Sequence, residues 1–300
     1  MKRIVTLLVV FAAITAQAQS VKLEFKPVKG AEYPISMEIS QTTIIRVPMM
    51  GDMTSQSDQI LGAVVTLVEE TEKGYLVEAR LTRMTVKATG QGQSQVFDSE
   101  GEDIMSEAIR TMLNKPFRMI VSPLGEIVEQ MPIEDTLFNA VDETLATQYA
   151  RRRRETALQQ IKSIFSESTI KSIVQAGLTQ FPDQTLKIPA VWTKEENSAE
   201  LAAIITLQSR LQELNGNRAT LEQKSIIMPD PNAQKPDAAQ RMENISGNGE
   251  ANLVVDADTG WIIENNASQS LKGDLVVEQG GQSQSMAVTM EISTRITSVP

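Results

Sequence analysis

The 300-residue chain contains no cysteine and no histidine. Without cysteine there is no thiolate nucleophile, no disulfide, no iron–sulfur cluster and no thiolate zinc site. Without histidine the Ser-His-Asp arrangement, the imidazole base and His-ligated metals fall away as well. Chemistry is left to carboxylates, hydroxyls, lysine or an oxygen-bound metal. Aromatics are also scarce, with 2 Trp, 3 Tyr and 7 Phe making 4% of the chain. That shortage makes a sugar-stacking site unattractive and leaves the core to aliphatic residues and methionine.

Long apolar runs are missing too, except at the start. Lys2 and Arg3 precede an apolar stretch at 4–14, and Ala16-Gln17-Ala18 has the small-x-small form of a cleavage site. Residues 1–18 therefore read as a secretory signal peptide, too short to span a bilayer. No cysteine follows it, so no lipoprotein acylation site is expected and the mature chain has no predicted transmembrane anchor. Without Lys2 and Arg3, 26 basic residues face 38 acidic ones, a net charge of −12. That balance argues against nucleic-acid binding. An exported chain without disulfides points to a bacterial periplasmic or secreted protein.

Periodicity supplies the architecture. Two-residue alternation at 21–47, and at 59–71 against 74–89, predicts strands, with a hairpin turn at Glu72-Lys73-Gly74. Residues 48–53 read as an exposed Met-rich loop. A helical spacing covers 100–114, and a hairpin over 117–129 turns at Ser122-Pro123-Leu124-Gly125. From Ile133 to Phe165 the spacing is helical, and a shorter helix at about 168–176 stops at Gly177. The last third alternates again, with turns at Asn215-Gly216-Asn217 and 256–260. The fold class expected is α+β: curved antiparallel sheet from both ends of the chain, packed on a helical middle. The organisation expected for 19–300 is a single domain with two β-lobes, 21–130 and 190–298, around a helical insert at 133–177.

Several short motifs carry a resemblance. They are Pro27-Val28-Lys29-Gly30-x-x-Tyr33, Gly74-Tyr75-x-Val77, Phe97-Asp98-Ser99 and Pro116-Phe117-Arg118-Met119-x-Val121-Ser122-Pro123-x-Gly125. Pro189-Ala190-Val191-Trp192 and Asp258-Thr259-Gly260-Trp261 follow. In this order they resemble an uncharacterised family of secreted proteins from Bacteroidota, although the Gly-Asp pair usual before Trp192 is absent. The resemblance implies location and architecture, since that family has no established activity. The layout is also similar to the half-barrels of periplasmic lipoprotein carriers and lipid binders, which implies a sheltered apolar cavity.

Each chemical motif competes with a structural explanation. Ser168-Thr169-Ile170-Lys171 has the Ser-x-x-Lys spacing, and Ser246-Gly247-Asn248 the companion Ser-x-Asn, but no Lys-Thr-Gly follows. Asp256-x-Asp258-x-Gly260 begins like a calcium loop without the later bidentate acid, and reads better as a turn. Asp98, Glu100, Glu102 and Asp103 suit the acidic first turn of a helix. No catalytic residue, metal site or cofactor is expected.

Two clusters remain as binding candidates. Met49, Met50, Met53, Met84, Met112 and Met119 suit either the lining of an apolar ligand site or an aromatic-poor core. Arg151, Arg152, Arg153 and Arg154 suit either an anionic partner or pairing with nearby acids such as Asp142, Glu143 and Glu155. The leading expectation is non-enzymatic binding of a lipid or acyl group in the cell envelope. Docking of an envelope protein is the alternative, and a serine- or carboxylate-based hydrolase is the third reading.

Overall fold

The computed structural model describes residues 20–48, 50–90, 92–198, 201–233, 240–279 and 282–298. The expected signal peptide and Met49 lie outside these residues. Strands β1 (Ser20–Val21), β2 (Glu32–Val47), β3 (Gly51–Thr71), β4 (Gly74–Gly90) and β5 (Gln93–Asp98) lead into helix α1 (Ile104–Arg110). Hairpin β6 (Pro116–Val121) and β7 (Ile127–Gln130) follows, then a 3-10 turn at Asp135–Phe138. Helices α2 (Asn139–Ala146), α3 (Arg151–Ile164) and α4 (Glu167–Ala176) come next. The chain ends with β8 (Leu186–Lys187), β9 (Ala190–Ser198), β10 (Ala203–Asn215), β11 (Arg218–Pro229), β12 (Gln240–Asp256), β13 (Ile262–Gln279) and β14 (Gln282–Thr297).

The expected α+β class holds: antiparallel strands at both ends of the chain enclose a helical middle. The helical run expected from Ile133 to Phe165 is divided, and no glycine or proline marks the break between Ala146 and Arg151. The strands expected as two lobes share one sheet. Its order is β7-β6-β4-β3-β2-β14-β13-β12-β11-β10-β9, with β5 added beside β4. The join is β2 with β14, paired from Ser36↔Thr297 to Arg46↔Ala287. β1 and β8 form a separate antiparallel pair.

Paired residues share a face, so the registers map the two sides. The inner row Met84–Leu61–Met37–Ile296–Asn265–Leu253–Leu221–Leu211 crosses eight strands. All its members are buried except Asn265, which is half-buried. The opposite side carries Glu38, Asp58, Lys87, Asn252, Glu222 and similar residues and meets solvent. This one-sided alternation is how an antiparallel sheet divides water from core.

The four helices cover the inner side of β2, β3, β4 and β6. Phe165, Ile109, Met112, Met119, Leu145, Ile161, Ile170 and Ile173 are fully buried there. Asp103 caps α1, accepting from the Met105 and Ser106 amides at 2.9 and 3.1 Å. Ser166 caps α4 through the Thr169 amide. Gly177 ends α4 without a left-handed conformation, at φ −84°. Its smallness has another cause: a Cβ there would lie 2.6 Å from the Trp261 ring.

The sheet is open, because β7 and β9 share no ladder. Ten strand-to-strand steps separate them, about 48 Å at the usual ~4.8 Å spacing if laid flat. Yet Lys194 on β9 forms an ion pair with Glu126, in the turn before β7. The sheet must therefore bend back on itself at this end. The space between is plugged by residues 22–27 and 177–188. Phe25 N donates to Pro123 O at 2.7 Å, Lys26 N to Thr259 O at 2.8 Å, and Phe181 N to Leu124 O at 3.0 Å. Phe25, Tyr33, Tyr75 and Trp261 cluster here, with ring centroids 5.0 to 6.1 Å apart. A second core, with Leu23, Phe181, Leu186, Leu211, Leu221, Leu253 and Ile262, continues the plug under the C-terminal strands.

Two predictions follow from this packing. Gly260 sits at φ +70° with its open side against the Glu24 carbonyl, so Gly260→Ala should destabilise the fold by more than about 1 kcal/mol in urea unfolding. Asn265 Oδ1 is enclosed with no hydrogen-bond partner among the described residues, between Leu253 and Ile296. Asn265→Val should raise stability by about 1 kcal/mol in the same assay.

Candidate functional site

Below the helical layer, away from the plug, the inner face changes character. Two inner rows on from Met84–Leu211, the residues read Gln95–Ala88–Ser57–Gln41–Ile292–Gln269–Gly249–Ser225–Leu207. Small and amide side chains leave hollows along it. One of about 500 Å³ is lined by Gln41, Thr43, Ser55, Ser57, Ala88, Gln93 and Gln95. Another of about 250 Å³ is lined by Gln223, Ser225, Gly249, Ala251, Ala267, Gln269 and Ile292. They meet where Gln41 stands opposite Ile292, forming a polar trough across the sheet.

Beyond the trough lies an apolar band. Met290, Leu271, Ile227 and Ile205 form one row, interrupted by Gly247. Met53, Ile45 and Val288 form the next. Met242, Leu275 and Met286 pair beside them. Leu271, Ile227, Ile245 and Ala203 are buried, whereas Met290, Ile292, Ile205 and Met242 stay half-exposed against them. No helix among the described residues packs on this cluster.

The six methionines singled out in the sequence do not come together. Met84, Met112 and Met119 are 3%, 0% and 0% exposed in the core under the helices, where they pack the fold. Their strand or helix period turns them towards the other apolar elements. Met50 stands 77% exposed in the β2–β3 turn. Met53 belongs to β3 rather than to a loop, and it alone of the described five joins the apolar band. The band's other methionines, Met242, Met286 and Met290, were missed. Strand alternation in the last third placed them on a common side, but only the register of β12, β13 and β14 reveals which side.

The arginine run divides in two. Arg151 pairs with Glu155 at 2.9 Å and Arg154 with Asp142 at 3.1 Å. Arg152 and Arg153 have no ion pair among the described residues. They line a cleft of about 600 Å³ between α3 and β5, with Gln95, Phe97, Met105, Tyr149 and Ala157. The Arg153 guanidinium lies 4.2 Å from the Tyr149 ring centroid, a cation–π contact. Gln95 belongs to both this cleft and the trough.

The remaining motifs serve the backbone. Ser168 Oγ is 3.1 Å from Ser166 Oγ at the start of α4, with no hydrogen bond to Lys171. Asp256 Oδ1 accepts from the amides of Asp258 and Thr259 and from the Thr259 hydroxyl, which closes the β12–β13 turn. Asp98 Oδ1 accepts from Thr85 and from the Glu100 amide. No group of three or more acidic side chains suited to a metal ion occurs among the described residues. None of their helices is long and apolar enough to cross a membrane.

α1 carries Met105 into the cleft, so its cap bears on the site. The Ser106 hydroxyl, followed by the Ser106 and Met105 amides, holds the Asp103 carboxyl below its usual range despite partial burial. Such a group contributes fully above its unfolded pKa, and its contribution is lost as pH falls through the lower folded value. Asp103→Ala should therefore cost about 1 kcal/mol at pH 7. In urea unfolding at a series of pH values, the gap to wild type should close only below about pH 4.

Comparison with solved structures gives distant likenesses. A lipovitellin structure, solved for its lipid–protein interactions, is 13% identical at a TM-score of 0.49; the match covers 92% of this chain and 26% of that one. The chain thus spans about a quarter of the lipovitellin chain. An outer membrane channel from Pseudomonas putida F1 is 8% identical at a TM-score of 0.24, covering 92% and 98% of the two chains. Neither score supports an argument about ligand or fold. No curated protein matches the chain. Residues 72–262, more than half of the 300, match the family of unknown function DUF6263, and the chain belongs to that family.

Proposed function

We propose that the protein is an exported, non-enzymatic carrier that receives a lipid or acyl group on the inner face of its sheet. The observation that carries this reading is the apolar band. Met290, Ile292, Ile205 and Met242 present half-exposed side chains on a bent face that no described helix covers. Each 100 Å² of such surface removed from water would contribute about 2.5 kcal/mol. Methionine suits the task because its unbranched, polarisable chain adapts to irregular apolar shapes. The adjoining trough offers Gln41, Ser57, Gln269 and Ser225 to the polar linkage of such a ligand. Placement in the cell envelope rests on the signal-peptide pattern of residues 1–18.

Native mass spectrometry of gently purified protein should show a bound lipid, exchangeable with added vesicles. The double variant Met290→Asn with Ile205→Asn should bind it at least about tenfold more weakly. Wild-type protein with no bound and no exchangeable lipid would end this reading. A second reading, docking of an envelope protein, is favoured by Ile226 and Met228, which stand 54% and 50% exposed on the outer face of β11. Stoichiometric capture of an envelope protein, lost on Ile226→Ser with Met228→Ser, would support it.

A further inference from the structure

The cleft between α3 and β5 gives the ligand a more definite chemistry. Its lining includes two arginines and no carboxylate. The neighbouring acids are engaged elsewhere: Glu155 holds Arg151 and Asp142 holds Arg154. Arg152 and Arg153 thus line one cleft without a counter-charge among the described residues, in a chain with net charge −10. Placing like charges together at a helix start opposes the helix dipole and brings no stability of its own.

The rest of the cleft mixes apolar side chains with the uncharged polar residues Gln95, Thr156 and Gln160. Phe97 comes from the inner face of β5, Met105 from α1, and Tyr149 and Ala157 from either side of the arginines. The Arg153 guanidinium carbon lies over the Tyr149 ring, and its N–H groups make no ion pair among the described residues. A planar donor edge fits a carboxylate or a phosphate through paired hydrogen bonds. A volume of about 600 Å³ suits a small-molecule site. Gln95 then connects the cleft to the trough.

We infer that Arg152 and Arg153 hold the anionic head of an amphiphile, a carboxylate or phosphate on an alkyl or acyl tail, whose first carbons lie against Phe97, Met105 and Tyr149. This names the ligand class of the carrier proposed above and rests on that reading.

The test is titration calorimetry of the full mature chain with four probes below their micelle concentrations. They are dodecyl phosphate, dodecanoate, the uncharged monododecanoylglycerol and inorganic phosphate. The two anionic tails should bind at least about tenfold more tightly than the uncharged one, and inorganic phosphate should be weaker than all three. In Arg152→Gln with Arg153→Gln, the anionic tails should fall to the level of the uncharged tail, which itself should not change. Both side chains are at the surface, so an unaltered melting curve is expected for the variant.

Equal binding of charged and uncharged tails by wild type would overturn this inference alone and leave the carrier reading in place. So would a preference that survives in the double variant. Inorganic phosphate binding as tightly as dodecyl phosphate would reduce the cleft to a plain anion site and likewise overturn it. Failure of every tail to bind would remove the carrier reading and this inference together.

Discussion

A sheet this broad has an apolar side too large to leave in water, and the rest of the molecule is arranged around covering it. Burial of apolar surface is the main favourable term in folding. The cover comes from three sources. Helices α1 to α4 lie over β2, β3, β4 and β6. The segments 22–27 and 177–188 fill the bend beside β9 to β13. Over the far part of the C-terminal strands, the side chains of the band cover one another. The first two bury their side chains, with Phe25, Phe165 and Leu211 fully buried. The third leaves methionine and isoleucine partly in contact with solvent, and that difference separates structure from candidate function.

The elements with strong local signals were legible in the sequence. The β3–β4 hairpin follows from period-two alternation about Glu72-Lys73-Gly74, and the α4 boundary from the stop at Gly177. The helical break after Ala146 was not legible, since nothing in the local residues interrupts the period. The function of the scattered motifs was legible only in part. Tyr33, Tyr75, Pro123, Gly125, Gly260 and Trp261 lie up to 228 residues apart in sequence, yet they converge on the plugged end of the sheet. The motifs that carry the family resemblance thus include residues that close the bend.

The candidate site was harder to read, for a definite physical reason. A strand residue declares that it alternates, but not which partner it will face, and a shift of one residue reverses the side. The methionines of the first half crowd together in sequence but not in space. Three of them lie under the helices, while Met53 shares the inner face with Met242, Met286 and Met290, on strands from both ends of the chain. The arginine run illustrates the same limit. Four adjacent charges looked uniform, and geometry assigns two to carboxylates and two to a cleft.

The pairing of β2 with β14 also bears on how the chain is made. Ser36 must find Thr297 and Arg46 must find Ala287, so the central ladder closes over some 240 to 260 residues. Ribosomal synthesis delivers β2 well before its second neighbour, β14. Until then β2 has only β3, and its other edge presents unpaired amides and carbonyls beside Ile39, Ile44 and Ile45. Contacts this distant in sequence slow folding and prolong exposure of such an edge. The middle of the sheet is therefore the last part to be completed, and a truncation of only the final strand would leave both halves with an unsatisfied edge at the centre rather than a shortened end.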